Sequence, residues 1–230
     1  MVLQLYLAQT AAEMAGNPIS GKAAYMACHF SPCSSGISNL PGALPEGTLL
    51  ILDDSTPMDG HDPERIVMQL SEWVSQHRPD GLLLDLQRPD IPGQRELAKR
   101  LCGALPCPVG VSELYGEGLP CPVFLPPVPP DRPISEYLAP WQSREVWLEA
   151  ALDGVMLTLG QSGCIAAPLC DFPENGFTDV ALHCHYTVET EADTAVFRLW
   201  RTREDLDRLL AGAETQSITK AIGLWQELGQ

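Results

Sequence analysis

The fold class that the sequence predicts is α/β: an irregular (β/α)₈ barrel with a small antiparallel β insertion late in the chain. Three observations carry it. First, Asp62-Pro63-Glu64 opens a run with apolar residues at Ile66, Val67, Leu70, Trp73 and Val74. This is helical spacing behind a capping aspartate and a proline at the first helical position. Second, the run is followed by a short turn, Arg78-Pro79-Asp80-Gly81, and then by the strand-like stretch Gly81 to Gln87, so helix, turn and buried strand form one α/β unit. Third, that strand is apolar on both faces at its start and polar on one face at its end. Side chains alternate along a strand, so Leu83, Asp85 and Gln87 share one face while Leu82, Leu84 and Leu86 share the other. A parallel strand covered on both sides, with a wetter rim at its C-terminal end, has this pattern.

The remaining elements follow in order. Strand-like runs are Val2 to Ala8, Ala23 to Phe30, Thr48 to Asp53, Gly81 to Gln87, Pro108 to Glu113 and Pro122 to Val128. Helical segments fit at Thr10 to Ala15, Asp62 to His77 and Gln94 to Ala104, whereas Tyr115 to Pro120 is too short for one. After a helical stretch around Ile134 to Trp141, Glu145 to Ala151 and Val155 to Leu159 read as two strands joined by an Asp153-Gly154 hairpin turn. With Ala181 to Glu189 they make an antiparallel insertion over 145–190. The barrel pattern resumes with Ala195 to Trp200, a helix from Arg203 to Gly212 and a last strand, Lys220 to Trp225. Residues 1–144 and 191–230 then supply eight barrel strands, the number that closes such a barrel, and Asp85 lies on the fourth.

Composition narrows the function. The chain has 230 residues, 45% of them hydrophobic, enough for a sizeable core in one main domain. A net charge of −16 argues against a nucleic-acid partner, which requires concentrated Lys and Arg. Met1 to Gly16 lacks the basic start and unbroken apolar stretch of a signal peptide, and no run approaches membrane-spanning length, so a cytoplasmic protein with no membrane partner is expected. The eight cysteines are scattered and often flanked by apolar residues, as at Cys102, Cys107 and Cys121, which reads as buried free thiols. Cys-Pro-Val occurs twice, at Cys107 and Cys121, where two strands begin alike.

No Gly-x-Gly-x-x-Gly or Walker pattern follows a strand, so no nucleotide cofactor is expected. His183-Cys184-His185, with Cys28, His29 and Cys33 elsewhere, offers metal-ligand chemistry, but the pair falls in the insertion and no spacing resembles a zinc ribbon. No metal is expected either.

Asp80-Gly81-Leu82-Leu83-Leu84-Asp85-Leu86-Gln87 resembles the Asp-x-x-Asp-x-Asp-x-Glu signature on the fourth strand of family 18 glycoside hydrolases, the chitinases. Two of three aspartates and the glycine are kept. Ala221-Ile222-Gly223-Leu224-Trp225 looks like that family's eighth strand, whose tryptophan floors the sugar site. The resemblance implies a barrel whose final motif glutamate protonates the glycosidic oxygen while the substrate's N-acetyl group attacks the anomeric carbon. Gln87 stands in the acid's place here, and Leu83 in that of the middle aspartate. An amide cannot deliver a proton, so the general-acid contribution, roughly 10²- to 10⁴-fold, is expected to be missing. The expected mouth combines Asp85 and Gln87 with Glu113 as catalytic candidates, and Asp53, Asp54 and Trp225 as ligand-binding ones. Such a site suits a carbohydrate or other small polar ligand, bound by a catalytically impaired barrel. Two alternatives stand beside it: an active hydrolase using Glu113 or Asp53 as acid, and a structural or interaction protein with a closed polar rim. Asp80 also reads as a turn residue, Asp85 and Gln87 as a closed polar cap, Trp225 as core, and Asp53-Asp54 as a capped turn.

Overall fold

The computed structural model describes residues 3–16, 21–32, 36–58, 60–161, 163–213 and 218–229. In chain order its strands are β1 (Gln4–Gln9), β2 (Lys22–Phe30), β3 (Ile37–Ser38), β4 (Leu49–Asp53), β5 (Gly81–Asp85), β6 (Val109–Ser112), β7 (Val123–Leu125), β8 (Val146–Glu149), β9 (Gly154–Gly160), β10 (Gly163–Pro168), β11 (Phe177–Asp179), β12 (Cys184–Glu191), β13 (Thr194–Trp200) and β14 (Ile218–Leu224). The helices are α1 (Ala11–Gly16), α2 (Pro63–His77), α3 (Gln94–Ala104), α4 (Glu113–Gly116), α5 (Ile134–Tyr137), α6 (Arg203–Ala213) and α7 (Trp225–Leu228). The Val2 end of the first predicted strand and Cys33 lie outside the described residues.

Eight parallel strands, β1, β2, β4, β5, β6, β7, β8 and β14, close into a barrel, because β1 pairs with β14 on one side and with β2 on the other. The short β3 adds antiparallel to β2 outside this ring. Local chemistry sets the elements as the sequence predicts around α2: the Asp62 side chain accepts from the Glu64 amide at 3.0 Å, Pro63 opens the helix, and Arg78 ends it at φ 48°. Ile66, Leu70, Trp73 and Val74 then bury one face of α2 against Leu82 and Leu84, the outward residues of β5, and Leu86 just after it.

The inward side chains fill the barrel with Tyr6, Ala8, Ala24, Leu49, Ile51, Leu83, Phe124, Trp147 and Ile222. Trp147 is fully buried, and it fits because two neighbouring strands carry glycine beside it. A Cβ on Gly110 would lie 2.2 Å from the indole, and one on Gly81 3.1 Å from it. The N-terminal floor is polar. Tyr6 donates to Asp80 at 2.8 Å, Lys22 pairs with Asp80, and Lys220 donates to the Tyr6 hydroxyl at 3.0 Å. Burial raises the Asp80 pKa, but the hydrogen bonds from Lys22 and Tyr6 outweigh it, and the carboxyl ends below its ordinary value. Asp80 is therefore part of the barrel floor, at the opposite end from the mouth.

The structure corrects the late strands. Val146–Glu149, expected in the insertion, is the seventh barrel strand, parallel to β7 (Phe124 opposite Trp147) and to β14 (Glu149 opposite Ile222). Ala195 to Trp200, expected in the barrel, lies in β13, antiparallel to both β9 and β12. Asp153-Gly154 consequently makes no hairpin: β8 and β9 belong to different sheets, and the chain crosses between them there. The antiparallel sheet runs β10-β9-β13-β12-β11, with Gly163 paired to Gly160 and Thr194 to Glu191 where its strands turn back. The thiols also differ from expectation. Cys28 and Cys184 are buried, Cys102, Cys107 and Cys121 are half-buried, and Cys164 and Cys170, on the antiparallel sheet and the segment after it, are exposed. No helix among the described residues is long and apolar enough to cross a membrane.

Arg201 fastens the antiparallel sheet to the barrel. Its guanidinium is 1% exposed and donates to the carbonyls of Val128 and Pro129, which follow β7, and to those of Leu182 and His183, which precede β12. Asp153 lies 3.4 Å away. Replacing Arg201 with methionine leaves those buried acceptors without their donor, and the expected loss is about 3 kcal/mol or more of unfolding free energy. Urea unfolding measures it; a loss under about 0.5 kcal/mol, the range of an ordinary surface substitution, would show that the sheet is held otherwise.

Candidate functional site

The space left inside the barrel lies at its C-terminal end. Tyr6 and Trp147 fill the lower interior, and above them Ala8, Met26, Ile51, Leu83, Phe124, Ile222, Gly223 and Leu224 wall a cavity of about 100 Å³. Three carboxylates enter it: Asp53 from β4, Asp85 from β5 and Glu149 from β8. Each is the last residue of its strand, and each strand reads as an apolar run ending in an acid: Leu49-Leu50-Ile51-Leu52-Asp53, Gly81-Leu82-Leu83-Leu84-Asp85 and Val146-Trp147-Leu148-Glu149. Asp53 and Asp85 are register partners on adjacent strands. The face alternation read from the sequence holds, since Leu83 and Asp85 both line the cavity while Leu82, Leu84 and Leu86 pack outward.

Apolar walls and like charges make ionisation unfavourable here. Burial pushes the Glu149 carboxyl up to about 7, helped by the negative charges of Asp85, Asp153 and Glu227. Burial also raises Asp85; the hydrogen bond from Gln87 lowers it, and Asp53 and Asp54 raise it further. Glu149 can therefore carry and release a proton near neutral pH.

The other predicted residues take distinct places. Gln87 is exposed, and its side-chain amide donates to Asp85. Asp54 is buried and engaged by the chain itself, accepting from the amides of Gln87 at 3.0 Å and Arg88 at 2.9 Å and from the Gln94 side chain at 3.2 Å. It fixes the loop after β5 and does not line the cavity. Asp53 accepts from the Ser55 amide at 2.8 Å, so the capped turn and the cavity wall are one feature. Glu113 is exposed on α4 and lines an adjoining hollow of about 230 Å³ with Gln87, Ser112, Leu114, Phe124 and Pro126. Phe124 and the Asp85–Gln87 hydrogen bond connect that hollow with the barrel cavity. Trp225 opens α7 and packs against Gly229, and it is Leu224, one residue earlier, that lines the cavity. The expected tryptophan floor is thus displaced by one position, because β14 ends before it.

Glu149 escapes the sequence reading because Asp153-Gly154 draws its strand into a hairpin. The signal was present: Val146 to Glu149 ends in an acid just as the Asp53 and Asp85 strands do. For metal chemistry, His185 is committed to Asp205 at 2.7 Å, and the described residues hold no cluster of three or more ligating side chains.

No protein-family model matches the sequence, and comparison with curated proteins finds no match. Solved structures do match. A family 18 chitinase mutant from Cycas revoluta in complex with (GlcNAc)4 superposes with a TM-score of 0.59 at 13% identity, over 96% of this chain and 94% of that one. The spore cortex-lytic enzyme SleL of Bacillus cereus gives 0.56 at 10% identity over 99% of this chain and 71% of that one. A chitinase from Chromobacterium violaceum gives 0.55 at 8% identity over 96% and 93%. At these identities the likeness is one of fold: the chain is a chitinase-like (β/α)₈ barrel with an antiparallel insertion.

The raised pKa of Glu149 links the site to stability. Between 4.5, its ordinary value, and about 7 the folded protein holds a proton that the unfolded chain has lost, so stability falls as pH rises through that window. After discounting for partial exposure, the loss is on the order of 2–3 kcal/mol. Denaturation of wild type and Glu149→Gln from pH 4 to 8 measures it. The substitution is expected to flatten the upper part of the slope, and an unchanged slope would assign it to other groups.

Proposed function

We propose that this barrel binds a carbohydrate or similarly small polar ligand at its mouth without performing the chitinase reaction. The observation that supports this best is Gln87: it stands where the resembling family carries its acid, and its amide donates to Asp85. A hydrogen-bonded amide positions a carboxylate and recognises hydroxyl or acetamido groups, but it has no proton to transfer. Leu83, in the place of the middle aspartate, is an apolar wall of the same cavity, so Asp85 has no acidic partner directly beneath it on its own strand.

Size and shape support an extended ligand. The barrel cavity alone is below the roughly 300–1,000 Å³ typical of small-molecule pockets, whereas together with the Glu113 hollow it reaches the lower end of that range. A sugar chain could place one substituent among Asp53, Asp85 and Glu149 and lay a ring over Phe124 toward Gln87 and Glu113. The chitinase from Cycas revoluta, with its bound tetrasaccharide, supports sugar as the ligand class.

A second reading rests on Glu149. A carboxyl held near neutrality beside a second carboxylate is the arrangement that assigns acid and base in many hydrolases. In this reading Glu149, rather than Glu113 or Asp53, is the acid of a non-standard glycosidase, with Asp85 as the partner carboxylate.

A fluorogenic chitobioside separates the two. The binding protein is expected to give no turnover above the uncatalysed rate, and Gln87→Glu is not expected to create strong activity while Leu83 remains. Wild-type turnover that falls 10²- to 10⁴-fold in Glu149→Gln would establish the second reading and overturn the first.

A further inference from the structure

Away from the mouth, the antiparallel sheet is apolar on one face and charged on the other. Register partners point to the same side of a sheet, so its faces can be read row by row across the strands. One row is Ala166, Leu157, Phe197 and Val188, from β10, β9, β13 and β12. The next is Val155, Leu199, Tyr186 and Phe177, the last two rings 5.6 Å apart. The row on the other side of the first, which holds Cys164 and Leu159, is also uncharged. The opposite face carries the charges: Arg198 pairs with Glu189 at 2.7 Å, and His185 reaches Asp205.

An antiparallel sheet ordinarily packs its apolar face on a core. Among the described residues, the side chains of this face belong to none of the three core clusters of the chain. They line neither the barrel cavity nor the hollow beside it. Phe177 is 66% exposed, Val188 42% and Leu159 41%; Leu199 is the buried member of the two central rows. We infer that this face is the interface of a symmetric dimer, covered by the same face of a second copy of the chain.

Area, shape and charge each point to a second copy. Five strands at about 4.8 Å spacing, in runs of about six residues at about 3.4 Å, give the face a flat area of about 500 Å². Two such faces together cover about 1,000 Å², the least that a specific interface needs. A twisted apolar sheet is matched by another of the same twist, packed about 10 Å away, and a twofold axis supplies one with each uncharged row against uncharged rows. At a net charge of −16, two copies repel through their charged surfaces, and this face is where they meet without opposing like charges. Added salt screens the remaining repulsion, so the dimer tightens as salt rises. A partner selected by charge would engage the acidic surface instead.

Sedimentation velocity tests this over protein concentrations of about 1 to about 100 µM, at about 0.05 and about 0.5 M sodium chloride. The wild-type mass is expected to rise from 25.0 kDa to twice that value, at lower protein concentration in the higher salt. Leu159→Glu and Val188→Glu, both at exposed positions on the apolar face, are expected to remain monomers. Ile165→Glu, at a position 65% exposed on the opposite face, is expected to dimerise as wild type does. Alkylation gives a readout without any variant. Cys164 lies on the apolar face and Cys170 beyond β10, so the rate at Cys164 relative to Cys170 is expected to fall as the dimer forms. A dimer that leaves that ratio unchanged and survives both face substitutions would overturn the inference, because association would then use another surface. A wild type that stays monomeric at about 100 µM in the higher salt would overturn it too. Protection of Cys164 by N-acetylglucosamine oligomers in such a monomer would assign the face to ligand.

Discussion

Closure of the barrel is the constraint from which the rest of the molecule follows. Because β1 hydrogen-bonds to both β14 and β2, all eight strands point the same way around one axis, and their last inward residues meet at a single rim. The interior is small, so what fills it from below decides what is left above. Trp147, accommodated by Gly81 and Gly110, and Tyr6, tied to Asp80 and Lys220, occupy the floor. The free volume is thereby confined to the level of Asp53, Asp85 and Glu149.

Three carboxylates against apolar walls cannot all be charged at low cost. The fold answers this in two ways. Glu149 keeps its proton up to about 7, and Asp85 receives a hydrogen bond from the neutral Gln87. A glutamate at position 87 would add a further charge next to Asp85, where the amide adds a donor. The replacement that removes the resembling family's acid therefore also relieves repulsion at the mouth. Asp54, by contrast, accepts from three donors on other elements, the Gln87 and Arg88 amides after β5 and the Gln94 side chain on α3, and so braces the mouth.

Much of this was legible in the sequence, because the signals are local. The cap and periodicity of α2, the turn before β5 and the alternation of Leu83, Asp85 and Gln87 depend only on neighbours along the chain. What the sequence could not settle was strand partnership. The strand-like runs Glu145 to Ala151 and Ala195 to Trp200 have comparable lengths and apolar content, and each could complete a barrel. The choice is made by packing, since Trp147 fits the space beside Gly110 while β13 is held between β9 and β12. The Asp153-Gly154 pair looks like a hairpin turn, yet it marks a crossing between sheets, and that misreading hid Glu149. At Trp225 the error was one residue of strand length, enough to send the side chain into α7 instead of the mouth.

The central claim is that a polar ligand is recognised where Asp85 and Glu149 meet, and a thermal-shift titration with N-acetylglucosamine oligomers tests it most directly. A ligand at one hundred times its dissociation constant stabilises the fold by about 2.7 kcal/mol. An upward shift is expected in wild type, and it is lost in both Asp85→Asn and Glu149→Gln. Equal shifts in all three proteins, or none in wild type with chito-oligosaccharides or with a wider panel of sugars, would contradict it.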